Sequence, residues 1–314
     1  MRPVGTTLPL RLMRGLVQEL SERIRTAVRD GLHEVGSRYV AGTAKGGDAE
    51  FPVDVLAERA AWAFLRERGE PVAVYTESEG LRTIGRAPEH VLIIDPIDGT
   101  RGAAADLEMA CVSIAAAPFG ESPTIGDIRY AMLQEIKSGN WLYADAHGTG
   151  IESAGFPVPV PHLAATTDPG RMFWSLEFNG HPAELMTGAY GHLIDASANT
   201  GGVYVFNSAS FSISRIITGQ MDAYVDIGNR LLRDRPDTEA DFRRVGHGSI
   251  LHLFPYDIAA SVYLAERAGV TITDAYGKPL HDTLLLDIGP LNQRSCIAAC
   301  TPQLHAALID SIRW

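Results

Sequence analysis

The chain has 314 residues, 46% of them hydrophobic and 21% charged, with 27 Lys and Arg against 38 Asp and Glu. That length supplies one large domain or two lobes with ample core, and the net charge of −11 argues against a nucleic-acid or anionic-membrane surface. It does not exclude an anionic substrate, because a bound divalent cation inverts the local field.

Three cysteines, Cys111, Cys296 and Cys300, have no metal-ligand spacing. They read as small buried apolar residues in a reducing cytoplasm. Arg2, Arg11 and Arg14 precede no apolar run of signal-peptide length, and no window approaches a membrane span.

In chain order, Leu16, Leu20, Ile24 and Val28 recur at helical spacing and predict a helix from about Leu12 to Gly31. The loop Gly42-Thr43-Ala44-Lys45-Gly46-Gly47-Asp48 fits no phosphate-binding fingerprint and reads as mobile. A second helix runs from Pro52 to Gly69, with Asp54 in its first turn. Val72–Thr76 reads as a strand that delivers Glu77 and Glu79 at its end.

Val91-Leu92-Ile93-Ile94 is an unbroken apolar run, the pattern of a strand covered on both faces. It ends in Asp95-Pro96-Ile97-Asp98-Gly99-Thr100, which places two carboxylates and a hydroxyl at the end of a rigid element. Like charges that close are costly unless a cation neutralises them, and hard oxygen donors suit Mg²⁺. A strand followed by an ordinary Asx turn explains Asp-Gly alone, but not both acids with the hydroxyl.

Further strands are predicted at Cys111–Ala115, Arg129–Ile136 and Trp141–Tyr143. The last two are joined by the hairpin signal Ser138-Gly139-Asn140. Residues 1–155 thus read as two helices and a mostly antiparallel sheet. The proline-rich stretch Gly155–Pro161 marks a boundary to a second lobe, 156–314, of alternating strands and helices. There, strands are expected at Met172–Leu176, Val203–Phe206, Ala223–Val225 and Cys296–Ala299. Helices are expected at Pro182–Ala196, Ser208–Thr218 and Pro255–Gly269, and a last one after Cys296–Ala299 running to Trp314. The fold class is layered α/β, of the α+β kind.

These residues resemble the inositol monophosphatase and fructose-1,6-bisphosphatase superfamily of Mg²⁺-dependent, lithium-sensitive phosphatases. Asp95–Thr100 is similar to the family's signature turn, and Thr76-Glu77-Ser78-Glu79-Gly80 to its upstream acidic motif, with Ser78 in place of the second Glu. Pro255-Tyr256-Asp257-Ile258-Ala259-Ala260 resembles its C-terminal metal motif, and Glu266–Val270 the segment after it. Gly219–Asp226 is similar to the stretch that ends in a substrate-binding acid.

The resemblance implies an αβαβα sandwich with a mostly antiparallel first sheet and a mixed second sheet. It implies two or three Mg²⁺ ions per site, held by Glu77, Asp95, the Ile97 carbonyl, Asp98 and Asp257. Catalysis falls to Glu77, Thr100 and Asp54, the latter two orienting and deprotonating a water. Phosphate faces the N–H groups of Gly99 and Thr100, and substrate hydroxyls face Asp98, Ser208, Ala209 and Asp226. Lys45 and Asp48 lie on a loop that completes the site, and the family is usually dimeric.

Two departures bear on the substrate. Arg101-Gly102-Ala103 stands where the family has an Asn and an aromatic residue, so Arg101 reaches the pocket rim and is expected to bind substrate, either as a second phosphate site or paired with a nearby acid. Thirty residues separate Asp226 from Asp257, and this insert carries Arg230, Arg233, Arg235, Arg243 and Arg244. It is either a solvated excursion or a lid with phosphate-binding arginines.

A haloacid-dehalogenase-type site is excluded, because Pro96 occupies the position of its nucleophilic Asp. The ten histidines do not cluster in sequence, and His247 and His252 read as structural. The expected substrate is a small polyol or sugar phosphate such as inositol monophosphate. Fructose 1,6-bisphosphate and a 3′(2′),5′-bisphosphate nucleotide follow as alternatives. A non-catalytic sugar-phosphate-binding regulator is the alternative of another class.

Overall fold

The computed structural model describes residues 10–33 and 38–314. Arg2 and the side chain of Arg11 lie outside them.

The first helix, Leu10–Gly31, buries Met13, Leu16, Val17, Leu20, Ile24 and Val28. Spacings of three and four put these on one stripe. The second, Pro52–Arg68, starts on a proline, whose missing N–H costs nothing at a first turn. It stops at Gly69, which takes φ 69° and donates its N–H to the Leu65 carbonyl at 3.0 Å.

Both helices cover one face of a seven-stranded sheet. Its strand order is Gly80–Ile84, Val72–Thr76, His90–Asp98, Cys111–Pro118, Tyr130–Glu135, Trp141–Asp145 and Glu152–Ala154. Val72, Val74, Leu92 and Ile94 face these helices, while Ala73, Tyr75, Val91 and Ile93 face the other way. That is the two-residue period of a strand buried on both sides. Val91, Leu92, Ile93 and Ile94 are each at most 1% exposed, worth about 1.5–3 kcal/mol of burial apiece.

On the second face lie the helices Ala209–Ile217 and Pro255–Ala268. Beyond them comes a mixed sheet in the order Gly202–Tyr204, Phe173–Leu176, Ala223–Asp226, Cys296–Ala299, Thr271–Thr273. The first three strands run parallel and the last two pair antiparallel. The helices Ala183–Ser197 and Pro302–Ser311 close the outer side. Helices, sheet, helices, sheet and helices give the expected αβαβα layering.

The first sheet has one parallel pair, and it positions the site. Val72–Thr76 runs beside His90–Asp98 with Thr76 opposite Ile94. Both chains therefore leave the sheet at the same edge, and Glu77 arrives next to Asp95. On the other flank the register slips, from Asp95 opposite Ser113 to Asp98 opposite Cys111. The extra residue is a bulge, which bends the strand and re-aims its end.

Several elements differ from the sequence expectation. Gly80–Ile84 is a strand whose Leu81, Arg82 and Thr83 are exposed, so it carries no apolar signal. The charged insert folds as two short helices, Gly228–Asp234 and Glu239–Val245. None of its arginines lines the cleft described below. Arg230 lies 3.5 Å over the Trp314 ring, Arg233 donates to the Leu291 carbonyl at 2.9 Å, and Arg243 pairs with Glu239 at 2.7 Å. Arg244 pairs with Asp241 at 3.2 Å, and Arg235 with Asp237 at 3.6 Å.

Candidate active site

A cleft of about 710 Å³, open solvent at its mouth included, lies where the acid-bearing strand ends meet the two middle helices. Glu77, Asp95, Ile97, Asp98, Gly99, Thr100 and Asp257 line it on one side, and Ser208, Ala209 and Asp226 on another. Seven carboxylates line this cleft (Asp48, Glu77, Asp95, Asp98, Glu177, Asp226 and Asp257) against one guanidinium, that of Arg101.

Each acid is held by its own local geometry. Asp95 Oδ1 accepts the Ile97 N–H at 3.0 Å, an Asx turn that bends the chain past Pro96. Asp98 is buried and accepts the N–H of Ser210, the second residue of the helix Ala209–Ile217. Asp257 sits at the third position of its helix and accepts the Phe254 N–H at 2.7 Å. The Ser210 hydroxyl ties the two regions together by donating to the Asp257 carbonyl at 2.9 Å.

Gly99 is required at the turn. It takes φ 97°, and a Cβ there would lie 2.5 Å from the Met109 carbonyl oxygen. Past it the chain enters the helix Thr100–Ala104. Thr100 Oγ1 lies 2.7 Å from Asp54 Oδ1 and 3.1 Å from the Ile97 carbonyl. Asp54 does not line the cleft; it stands half-buried behind Thr100, with Oδ2 accepting the Phe51 N–H at 2.8 Å.

Lys45 is likewise off the cleft, its Nζ 2.5 Å from the Glu79 carbonyl. Asp48 does reach the cleft. Its carboxylate joins Arg101 at 3.1 Å and Asn179 at 3.0 Å, which closes the rim.

The proton affinities follow from this crowding. Burial, and then the charges of Asp98, Glu77 and Asp257, push Asp95 well above the usual carboxylate range. Glu77 is raised by burial and then by Asp54, and Asp257 by burial and then by Asp98. Asp98 rises only to about 6: burial lifts it, while the Ser210 N–H favours the ionised form. Burial raises Asp54 to about 7.

A divalent cation suits this donor set, which is all oxygen, anionic and short of positive charge. Among the described residues no three such side chains already converge on one point at ligand distance. Holding an ion there would require the carboxylates to turn inward. Hydrogen bonds to Ile97 and Phe254 fix one oxygen each of Asp95 and Asp257, which leaves the second for such a turn.

The cleft also contains residues that sequence reasoning missed: Glu177, Asn179, His181, Asn207, His252 and Tyr256. Glu177 follows the strand Phe173–Leu176, buried from Trp174 on, just as Glu77 follows Val72–Thr76, a signal that was available. Burial raises Glu177 and Asp226 to about 7. Two of the histidines do meet: His181 and His252 are 71 positions apart in sequence yet 3.3 Å apart in space.

Comparisons with known proteins agree with the geometry. The model of the inositol monophosphatase family matches residues 10–313. A fructose-1,6-bisphosphatase/inositol-1-monophosphatase of Archaeoglobus fulgidus is 25% identical over 305 residues, 97% of this chain and 98% of that one. A bifunctional NADP phosphatase/NAD kinase of Methanocaldococcus jannaschii is 22% identical over 289 residues, 83% of this chain and 44% of that one. Among solved structures, a Pyrococcus horikoshii protein described as similar to inositol-1 monophosphatase superposes with a TM-score of 0.68 at 19% identity, covering 97% of this chain and 100% of that one.

Proposed function

The chain belongs to the inositol monophosphatase family, and from that premise we propose a Mg²⁺-dependent phosphomonoesterase acting on a small polyol or sugar monophosphate. The observation that carries the reading is the cleft itself: seven carboxylates against one guanidinium, with a hydroxyl–carboxylate pair directly behind the turn Asp95–Thr100.

Glu77, Asp95, Asp98 and Asp257, with the Ile97 carbonyl, are the groups that would hold two or three ions. Bound there, Mg²⁺ supplies positive charge for the phosphoryl oxygens and makes a nearby water more acidic. The rest is the work of the chain. Thr100 Oγ1 accepts a hydrogen bond from the attacking water and passes its own proton to Asp54, whose pKa near 7 suits a base at neutral pH. The N–H groups of Gly99 and Thr100 meet the phosphate. Ser208, Ala209 and Asp226 bound the space for the alcohol, and Asp48 with Arg101 closes the rim.

A bisphosphate needs a second anion site. The cleft has Arg101 alone, already paired with Asp48, and the inserted arginines are engaged elsewhere. This supports a monophosphate over fructose 1,6-bisphosphate or a bisphosphate nucleotide. The test is phosphate release from inositol monophosphate, a hexose monophosphate, fructose 1,6-bisphosphate, a 3′,5′-bisphosphate nucleotide and NADP, each with Mg²⁺ and with EDTA. Turnover of the monophosphates in Mg²⁺ alone is expected. Tight binding without turnover of any ester would favour a non-catalytic regulator.

A further inference from the structure

Four buried polar side-chain atoms on the cleft wall have no hydrogen-bond partner among the described residues: His181 Nδ1, Asn207 Oδ1, His252 Nε2 and Tyr256 Oη. Buried polar groups are rarely left unpaired, so orphans gathered in a cleft await a ligand. Two of them belong to one unit. His252 Nδ1 lies 3.3 Å from His181 Nε2, and the rings are 6% and 4% exposed.

The insert holds this unit in place. Phe242 is fully buried and packs edge-on against both rings, with centroids 6.0 Å from His181 and 5.3 Å from His252. Gly228 leaves room for His181, since a Cβ there would lie 2.4 Å from Nε2.

The shared hydrogen bond dictates what the outer nitrogens of the pair can offer. The ring that donates the inner proton carries none on its outer nitrogen, which is then an acceptor. The other ring accepts on its inner nitrogen and keeps its proton outside, as a donor. Either tautomer leaves one donor and one acceptor on the two outer nitrogens. Burial pushes both imidazoles toward the neutral form, and the Arg233 charge adds to this at His252.

We propose that the His181–His252 pair recognises the alcohol part of the substrate and selects a neutral, hydroxyl-bearing alcohol over one carrying a second phosphate. A hydroxyl both gives and takes a hydrogen bond, so neighbouring hydroxyls satisfy both outer nitrogens. A phosphate only accepts, and it would set its oxygens against the lone pair of one ring and against Glu177 and Asp226 nearby. The inference rests on the phosphatase reading above and narrows it to polyol monophosphates.

The test compares inositol monophosphate with phenyl phosphate, which has no hydroxyl to recognise, in Mg²⁺. In His252→Leu, KM for inositol monophosphate is expected to rise about tenfold, the loss of roughly one neutral hydrogen bond, with kcat nearly unchanged. Phenyl phosphate kinetics should not move. His252→Gln, whose amide reaches the position of Nε2, should recover most of the loss. If His252→Leu does not fold by thermal melt, His181→Phe is measured in its place with the same expectation. Phosphate-free inositol should also shift the ring-nitrogen resonances of His181 and His252 in wild type.

Equal effects on the two esters, an unmoved KM in a folded variant, or unshifted ring nitrogens would each overturn the proposal while leaving the phosphatase reading intact. Release of phosphate from no ester by wild type would overturn that reading and this proposal together.

Discussion

Replacing Asp98 by Asn in the metal-free protein is expected to stabilise it, although Asp98 is a buried, hydrogen-bonded residue at the heart of the cleft. In the fold its pKa is raised from 3.8 to about 6, by burial above all. At about 1.4 kcal/mol per tenfold change in proton affinity, the ionised form costs the folded state about 3 kcal/mol. The direction follows from proton counting. Between pH 4 and 6 the folded chain keeps a proton that the unfolded chain has lost, so stability falls as pH rises through that window and stays low above it. Asn removes the charge and keeps an oxygen for the Ser210 N–H.

At pH 7.5 in EDTA, Asp98→Asn should therefore melt above wild type. About 3 kcal/mol over roughly 2.1 cal/mol/K of unfolding entropy per residue for 314 residues is about 4 to 5 °C. The gap should close below pH 4, where both forms are neutral. It should narrow in saturating Mg²⁺, which stabilises wild type by about 2.7 kcal/mol at a hundred times its dissociation constant and stabilises the variant less. Melts at three pH values, with and without metal, decide the matter. A variant that melts at or below wild type in EDTA at pH 7.5, or a gap that ignores pH, would refute the reasoning.

Thr100→Val should lower kcat by about 10²- to 10⁴-fold while Mg²⁺ affinity stays unchanged, because it removes the hydroxyl between Asp54 and the cleft; calorimetric metal titration and steady-state kinetics check both halves. Arg101→Ala should change KM for a monophosphate and a bisphosphate by the same small factor, since its rim pair with Asp48 is worth at most ~1 kcal/mol; a selective loss for the bisphosphate would restore a phosphate-binding role. Arg215 and Glu135 form a buried ion pair that ties the helix Ala209–Ile217 to the first sheet. Arg215→Met strands the carboxylate and should cost about 3–5 kcal/mol in denaturant melts, more than the paired replacement of both residues.

The acid-bearing turn was legible in the sequence because a strand buried on both faces writes its apolar run without interruption, and the acids after Ile94 break it. Asp257 and Asp54 were legible as first-turn helix residues, a placement that the capping hydrogen bonds to Phe254 and Phe51 reproduce. That Glu77 stands beside Asp95 is a matter of strand pairing: only the parallel register of Thr76 with Ile94 brings them together. The substrate end was not legible. His181 and His252 meet through packing between segments 71 positions apart, and no spacing in the chain announces it. The insert looked like solvated charge because Arg230, Arg233, Arg235, Arg243 and Arg244 stand among acids along it. The ring that packs against the histidine pair, Phe242, is hidden among Asp241, Arg243 and Arg244. The strand Gly80–Ile84 escaped for the opposite reason, since an edge strand with exposed side chains has no periodic apolar face to reveal it.

The central claim is that Glu77, Asp95, Asp98 and Asp257 together hold divalent ions in this cleft. Crystals grown with Mn²⁺ and diffracted at the manganese edge test it most directly. Anomalous peaks are expected among these four carboxylates and the Ile97 carbonyl, at about 2.0–2.2 Å from their oxygens, and should vanish in crystals of Asp95→Asn. Strong peaks elsewhere with none in the cleft, or cleft peaks that persist unchanged in Asp95→Asn, would contradict the account.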